Sequence, residues 1–209
     1  MIMSRPMPPA SVLDELVNPV FEPAPELVEW ARQTFIADDA KLYNPDHHHL
    51  NFASIGALWT NVGNSRKGRQ IIGQCEEGSP SGMMGKWGKA RAEMQITQWF
   101  GHVLDFVMTF DAVYCAECSD AEFCALIEHE MYHAAQDRDP FGAPKFRKST
   151  GLPVFALRGH DIEEFVGVVR RYGADASHVR ALVDAANAGP EIANVGIAHA
   201  CGTCQLRAA

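Results

Sequence analysis

The stretch Ser119 to Asp137, SDAEFCALIEHEMYHAAQD, constrains this chain more than any other. Within it His129-Glu130-Met131-Tyr132-His133 spells H-E-x-x-H. Two histidines four apart on a helix project from one face, so both imidazoles can reach one metal ion. Glu130 sits beside that face, where it can take a proton from water without being a ligand itself. A bare histidine pair would carry little weight in a chain with 9 His among 209 residues. The setting makes this pair specific. Ser119 and Glu122 make an S-x-x-E capping box. Phe123, Leu126, Ile127 and Ala134 follow the 3.6-residue period of a buried face, and Pro140 is expected to stop the run.

A catalytic zinc takes three protein ligands and leaves a fourth position to water. His129 and His133 supply two. The downstream candidates for the third are His160, Glu163, Glu164 and His178. His160 is favoured, because Gly159 before it allows a sharp approach and Asp161 after it could hold the other ring nitrogen. Glu163 and Glu164 come next. Inside the following helix His160 would point away from the stripe of Ile162, Phe165 and Val166. It must therefore precede that helix, or the metal must lie on the helix's other side.

Cys115-Ala116-Glu117-Cys118 and Cys201-Gly202-Thr203-Cys204 are each C-x-x-C, the spacing of a zinc knuckle. Together Cys115, Cys118, Cys201 and Cys204 could close a second, structural zinc site that ties the C-terminal tail to the start of the metal helix. The alternative is four free thiols. Cys75 and Cys124 read as small core residues.

With 209 residues and 47% hydrophobic content, one domain with a sizeable core is expected. No apolar run is long enough to cross a membrane. The N-terminal MIMSRPMPPA has no apolar signal core, which argues against Sec-dependent export and for the cytoplasm. The net charge of −8 disfavours nucleic acid as a partner, because phosphate binding needs a basic surface. Residues 1–24 read as a Pro-rich arm, 25–188 as the main domain and 189–209 as a tail.

Along the chain, Pro25 to Ile36 reads as a helix with Pro25 at its first position. His47-His48-His49 reads as a solvated loop entering a strand. Apolar runs over Leu50 to Thr60, Arg69 to Cys75 and His102 to Phe110 read as strands. Gly78 to Gly88 is a loop, and Lys89 to Ile96 fits strand or helix. Phe146 to Leu157 reads as a short hairpin. Asp161 to Tyr172 and Asp175 to Ala188 read as helices ended by Gly173 and Gly189. A sheet followed by helices implies an α+β fold.

The segments ALIEHEMYHAAQD and LRGHDIEEFVGVVRRYG closely resemble the two-part pattern ALxDHELxH … LxGHDVEEF … VRRYG of the putative phage metallopeptidase family. The resemblance covers roughly Pro25 to Gly173. It extends to GRQIIGQ at Gly68, GKAR at Gly88 and DFVMTFDAV at Asp105. It implies a zincin-like fold, a small mixed sheet packed against the H-E-x-x-H helix and further helices. It also implies a zinc peptidase acting on a protein or peptide, in the host cytoplasm if the chain is phage- or prophage-encoded. His129 and His133 match the helix ligands, Glu130 the catalytic base and His160 the histidine of GHD. The paired cysteines and the tail beyond Gly189 fall outside the resemblance.

On this reading the strand before the metal helix, His102 to Phe110, is expected to border the cleft and pair with an extended substrate. Tyr132 and Arg158 are candidate oxyanion stabilisers. The rival is a non-catalytic, zinc-stapled phage adaptor or interaction protein. Glu130 argues against it, since a purely structural site needs no base there. The two readings differ in coordination: three protein ligands and water for an enzyme, four protein ligands for a staple. A protease acting on DNA-bound proteins would need a basic DNA-facing surface.

Overall fold

A computed structural model describes residues 4–14, 18–66, 69–80, 85–162, 166–175, 179–192 and 200–201. The chain opens with one helical turn, α1 (Ala10–Leu13), and a short strand, β1 (Phe21–Pro23). Helix α2 (Pro25–Ala31) has Pro25 in its first turn, where the missing N–H costs nothing, and runs into a π-helical turn over Arg32–Ile36. Leu27, Trp30, Phe35 and Ile36 are buried.

Pro45–Phe52 is a 3-10 helix rather than the loop expected at His47-His48-His49. The Asn44 side chain accepts from the Asp46 N–H at 3.0 Å and caps it, and Pro45 opens it. His47 is buried, its ring edge-on to Tyr132.

Three strands follow, β2 (Ile55–Thr60), β3 (Asn64–Arg66) and β4 (Arg69–Glu77). Helix α3 (Gly85–Phe100) resolves the ambiguity over Lys89 to Ile96 in favour of helix. Strand β5 (Phe106–Asp111) leads through a short helix, α4 (Ala112–Glu117), into α5 (Asp120–His133). Two short strands, β6 (Ala134–Gln136) and β7 (Phe155–Leu157), pair antiparallel. Helices α6 (Val166–Tyr172) and α7 (Arg180–Ala188) and a two-residue strand β8 (Ala200–Cys201) complete the described residues.

The main sheet has the order β1-β2-β5-β4-β3, with β8 also on β4. β2 and β5 run parallel, as do β4 and β8; the other pairs are antiparallel. The fold is therefore α+β with a mixed sheet. β5 starts at Phe106, four residues later than expected, because Asp105 turns back to cap Ser54, accepting from its N–H and hydroxyl. β5 is an interior strand hydrogen-bonded on both sides. It has no free edge for a peptide, so the substrate-pairing role expected of it is excluded.

Both faces of β5 are covered, which suits its strongly apolar sequence, interrupted only by Thr109 before Asp111. Leu58 and Val107 pack under Ile96, Trp99 and Phe100 of α3. Trp59, Phe106, Met108 and Phe110 on the other face meet Leu27 and Trp30 of α2 and Phe123, Leu126 and Ile127 of α5. Phe123 is fully buried, its ring 5.3 Å from Trp30 and 6.4 Å from Trp59. Burial of each such side chain contributes about 2 kcal/mol as an upper figure. This packing fixes α5 against the sheet.

Both halves of the capping box at Ser119 and Glu122 are present. The far end of α5 differs from expectation. It stops at His133, well before Pro140, because Ala134 leaves the helical region and β6 pairs with β7. The expected hairpin over Phe146 to Leu157 is present in part, as a bridge between Phe146 and Pro153, while Phe155–Leu157 pairs with β6.

Candidate metal centre

The early end of α5 builds the site. β6 leaves directly from His133, and β7 returns beside it, delivering Arg158, Gly159 and His160 to the helix terminus. The Arg158 N–H donates to the His133 carbonyl at 2.9 Å. His133 Nδ1 lies 2.6 Å from the Arg158 carbonyl oxygen, which can only accept, so Nδ1 carries the proton. Nε2 then faces the cluster, an arrangement typical of metal-bound histidine.

His129 Nε2 is 3.3 Å from His133 Nε2 and 3.2 Å from His160 Nε2. One ligand atom from each of the three lies within 4.8 Å of the others, so the trio could hold a metal ion. Imidazole nitrogens about 2.0–2.1 Å from a tetrahedral zinc stand roughly 3.3 Å apart, so the observed spacing fits such an ion. Burial, with His133 and His160 nearby, pushes the pKa of His129 down to about 4. The neutral ring that this favours is the form a metal takes. His160 precedes α6, one of the two arrangements the sequence allowed. The Asp161 carboxylate takes the Arg158 guanidinium.

Glu130 is completely buried on the side of α5 that packs on β4. The absence of a side chain at Gly73 makes room for it: a Cβ there would come within 2.9 Å of Glu130 Oε1. The three histidines line an open cleft of about 490 Å³, with Asp46 and Tyr132 on one wall and Leu182 of α7 on another. Sequence reasoning missed Asn44 and Asp46, which hydrogen-bond the Tyr132 hydroxyl, and Glu128, which accepts from Asn44. Asn44-Pro45 is a helix-start signal, and it could have shown that the histidine run is helical.

The remaining expected residues are only partly described. Cys115 is buried in the core, and burial pushes its thiol pKa up. Cys118 accepts from Arg5 Nη1 at 3.4 Å. The backbone of Cys201 pairs with Gly73. Glu163, Glu164, His178, Cys204 and the side chain of Cys201 lie outside the described residues. Among the described residues, the three histidines are the one cluster able to hold a metal.

No curated protein and no solved structure matches the chain. A family model described as "Putative phage metallopeptidase" matches residues 28–187, which span β2 to β7, α5 and His160. The chain belongs to the putative phage metallopeptidase family.

Proposed function

We propose that this chain is a zinc peptidase of zincin-like fold, hydrolysing peptide bonds in a protein or peptide substrate. The convergence of the His129, His133 and His160 nitrogens, with Glu130 one residue beyond His129, carries this reading. His129, His133 and His160 would hold the ion. When bound, zinc lowers the pKa of a water to about 7 and polarises a carbonyl oxygen. Glu130 accepts the proton of the attacking water as the C–O bond forms. It returns that proton to the amine as the C–N bond breaks.

Three imidazoles facing an open cleft suit a catalytic ion better than a staple, which would use four protein ligands. Elemental analysis and a peptide-library digest test the proposal together. Bound zinc that is lost in His129→Ala, with cleavage lost alongside it, is the expected result. A cysteine site formed by Cys115, Cys118, Cys201 and Cys204 would add a second zinc that survives His129→Ala. Metal-free protein, or zinc-loaded protein that cleaves nothing, would overturn the peptidase reading.

A further inference from the structure

Helical geometry gives the metal centre two flanks. At about 100° per residue, Glu130 lies to one side of the edge shared by His129 and His133, and Tyr132 lies to the other. The Glu130 flank packs against β4. The Tyr132 flank meets the 3-10 helix, and its side chain, 39% exposed, lines the same cleft as the three histidines.

The phenol is held in one hydrogen-bonding sense. Its oxygen accepts from Asn44 Nδ2 at 2.8 Å. Asn44 is itself tied down, with Nδ2 also donating to Glu128 Oε1 at 2.8 Å and Oδ1 accepting from the Asp46 N–H at 3.0 Å. The buried ring of His47 stands edge-on to the phenol, 4.6 Å between centroids. An amide N–H can only donate, so Asn44 takes a lone pair of the phenol oxygen and the phenolic proton must be given elsewhere. The structure directs it to Asp46 Oδ2, at a long 3.3 Å, in the cleft wall. A positioned donor thus lies in the wall of the cleft that the three histidines line. Arg158, the other sequence candidate, has its guanidinium on Asp161.

We propose that Tyr132 is a further catalytic residue, and that Asn44 is its positioning residue; the inference rests on the peptidase reading above. The Tyr132 hydroxyl turns from Asp46 to the carbonyl oxygen of the scissile bond and donates a hydrogen bond to it. The attacking water forms the new C–O bond and gives its proton to Glu130. The carbonyl electron pair moves onto oxygen, and Tyr132 stabilises that charge without transferring its own proton. The pair then returns, the C–N bond breaks, and the amine leaves with the proton that Glu130 carried.

Tyr132→Phe removes the hydroxyl and keeps the ring. On a peptide the wild type cleaves, kcat should fall roughly 100-fold with KM nearly unchanged, the loss typical of one oxyanion donor. Asn44→Ala, which leaves Tyr132 in place, should move kcat the same way by less, and zinc content should stay at the wild-type level in both. A second measurement needs no turnover. Zinc-loaded protein is titrated calorimetrically with a phosphinic Phe–Ala dipeptide, which mimics the tetrahedral oxyanion, and with a thiol dipeptide mimic, which has no such oxygen. Tyr132→Phe should weaken the phosphinate by about 10-fold or more and leave the thiol unaffected, since the interaction belongs to the transition state. A wild-type kcat in Tyr132→Phe, or equal phosphinate affinity in the two proteins, including no binding by either, overturns the proposal. A wild type that cleaves nothing, yet loses phosphinate affinity selectively in Tyr132→Phe, removes the peptidase reading and keeps the donor role.

Discussion

On the proposed mechanism, Gly73 is the place where the position of the base can be disturbed without replacing a residue of the site. A methyl group there would lie 2.9 Å from Glu130 Oε1, 2.9 Å from Leu126 Cδ1 and 3.0 Å from Glu130 Cγ. Comfortable contacts between carbon atoms are about 3.5–4.0 Å, so in Gly73→Ala the helix or the carboxylate must retreat by roughly 0.5–1 Å. Overpacking of this kind costs about 1–3 kcal/mol. For a chain of this length each kcal/mol lowers Tm by about 2–4 °C, so a fall of about 2–12 °C is expected. Displacing the base by up to about 1 Å should lower kcat by about 10- to 100-fold. The histidines project from a different side of α5, so zinc content should not change. Gly63→Ala is the control: nothing lies within 4 Å of the added methyl, so stability should stay within about 0.5 kcal/mol of wild type. The assay is thermal unfolding with steady-state kinetics on one cleaved peptide. A Gly73→Ala protein with wild-type Tm and kcat would refute the close packing of Glu130 against β4 and the role built on it.

Two further outcomes follow from the same structure. Ser119→Ala removes the capping box of α5 and should cost about 1 kcal/mol, read as a Tm lower by about 2–4 °C, with zinc content retained. His160→Ala should weaken zinc binding by orders of magnitude, measured by competition with a chelator, while Glu163→Ala and Glu164→Ala change it little; equal affinity in His160→Ala and wild type would move the third ligand elsewhere.

The metal helix was legible because its signals are local. A capping box, an apolar period and two histidines on one turn all lie within α5, and each reappears in the structure. The third histidine was legible for a different reason. Gly159 and a helix start nearby limit where His160 can point, and β7 returns it to the helix end. What escaped depends on pairing between distant segments. The end of α5 at His133 is set by β6 joining β7, across a loop whose length says nothing about register. The interior position of β5 depends on β2 and β4, and an apolar run reads alike at an edge or in the middle. The burial of His47 depends on Tyr132 lying 85 positions further along the chain, although the Asn44 cap was there to be read. Gly73 lies in the GRQIIGQ segment, but its role could not be read there, since its meaning is the carboxylate packed against it.

The central claim is that Glu130 acts as a base beside an ion held by three histidines, and Glu130→Gln tests it most directly. Glutamine keeps the size and the burial but cannot take a proton. Zinc content and hydrolysis are measured on the same preparation, with a peptide that the wild type cleaves. The account predicts zinc at the wild-type level and kcat lower by at least about 100-fold, the usual scale for loss of a general base. A Glu130→Gln protein that holds zinc and cleaves at the wild-type rate would contradict it.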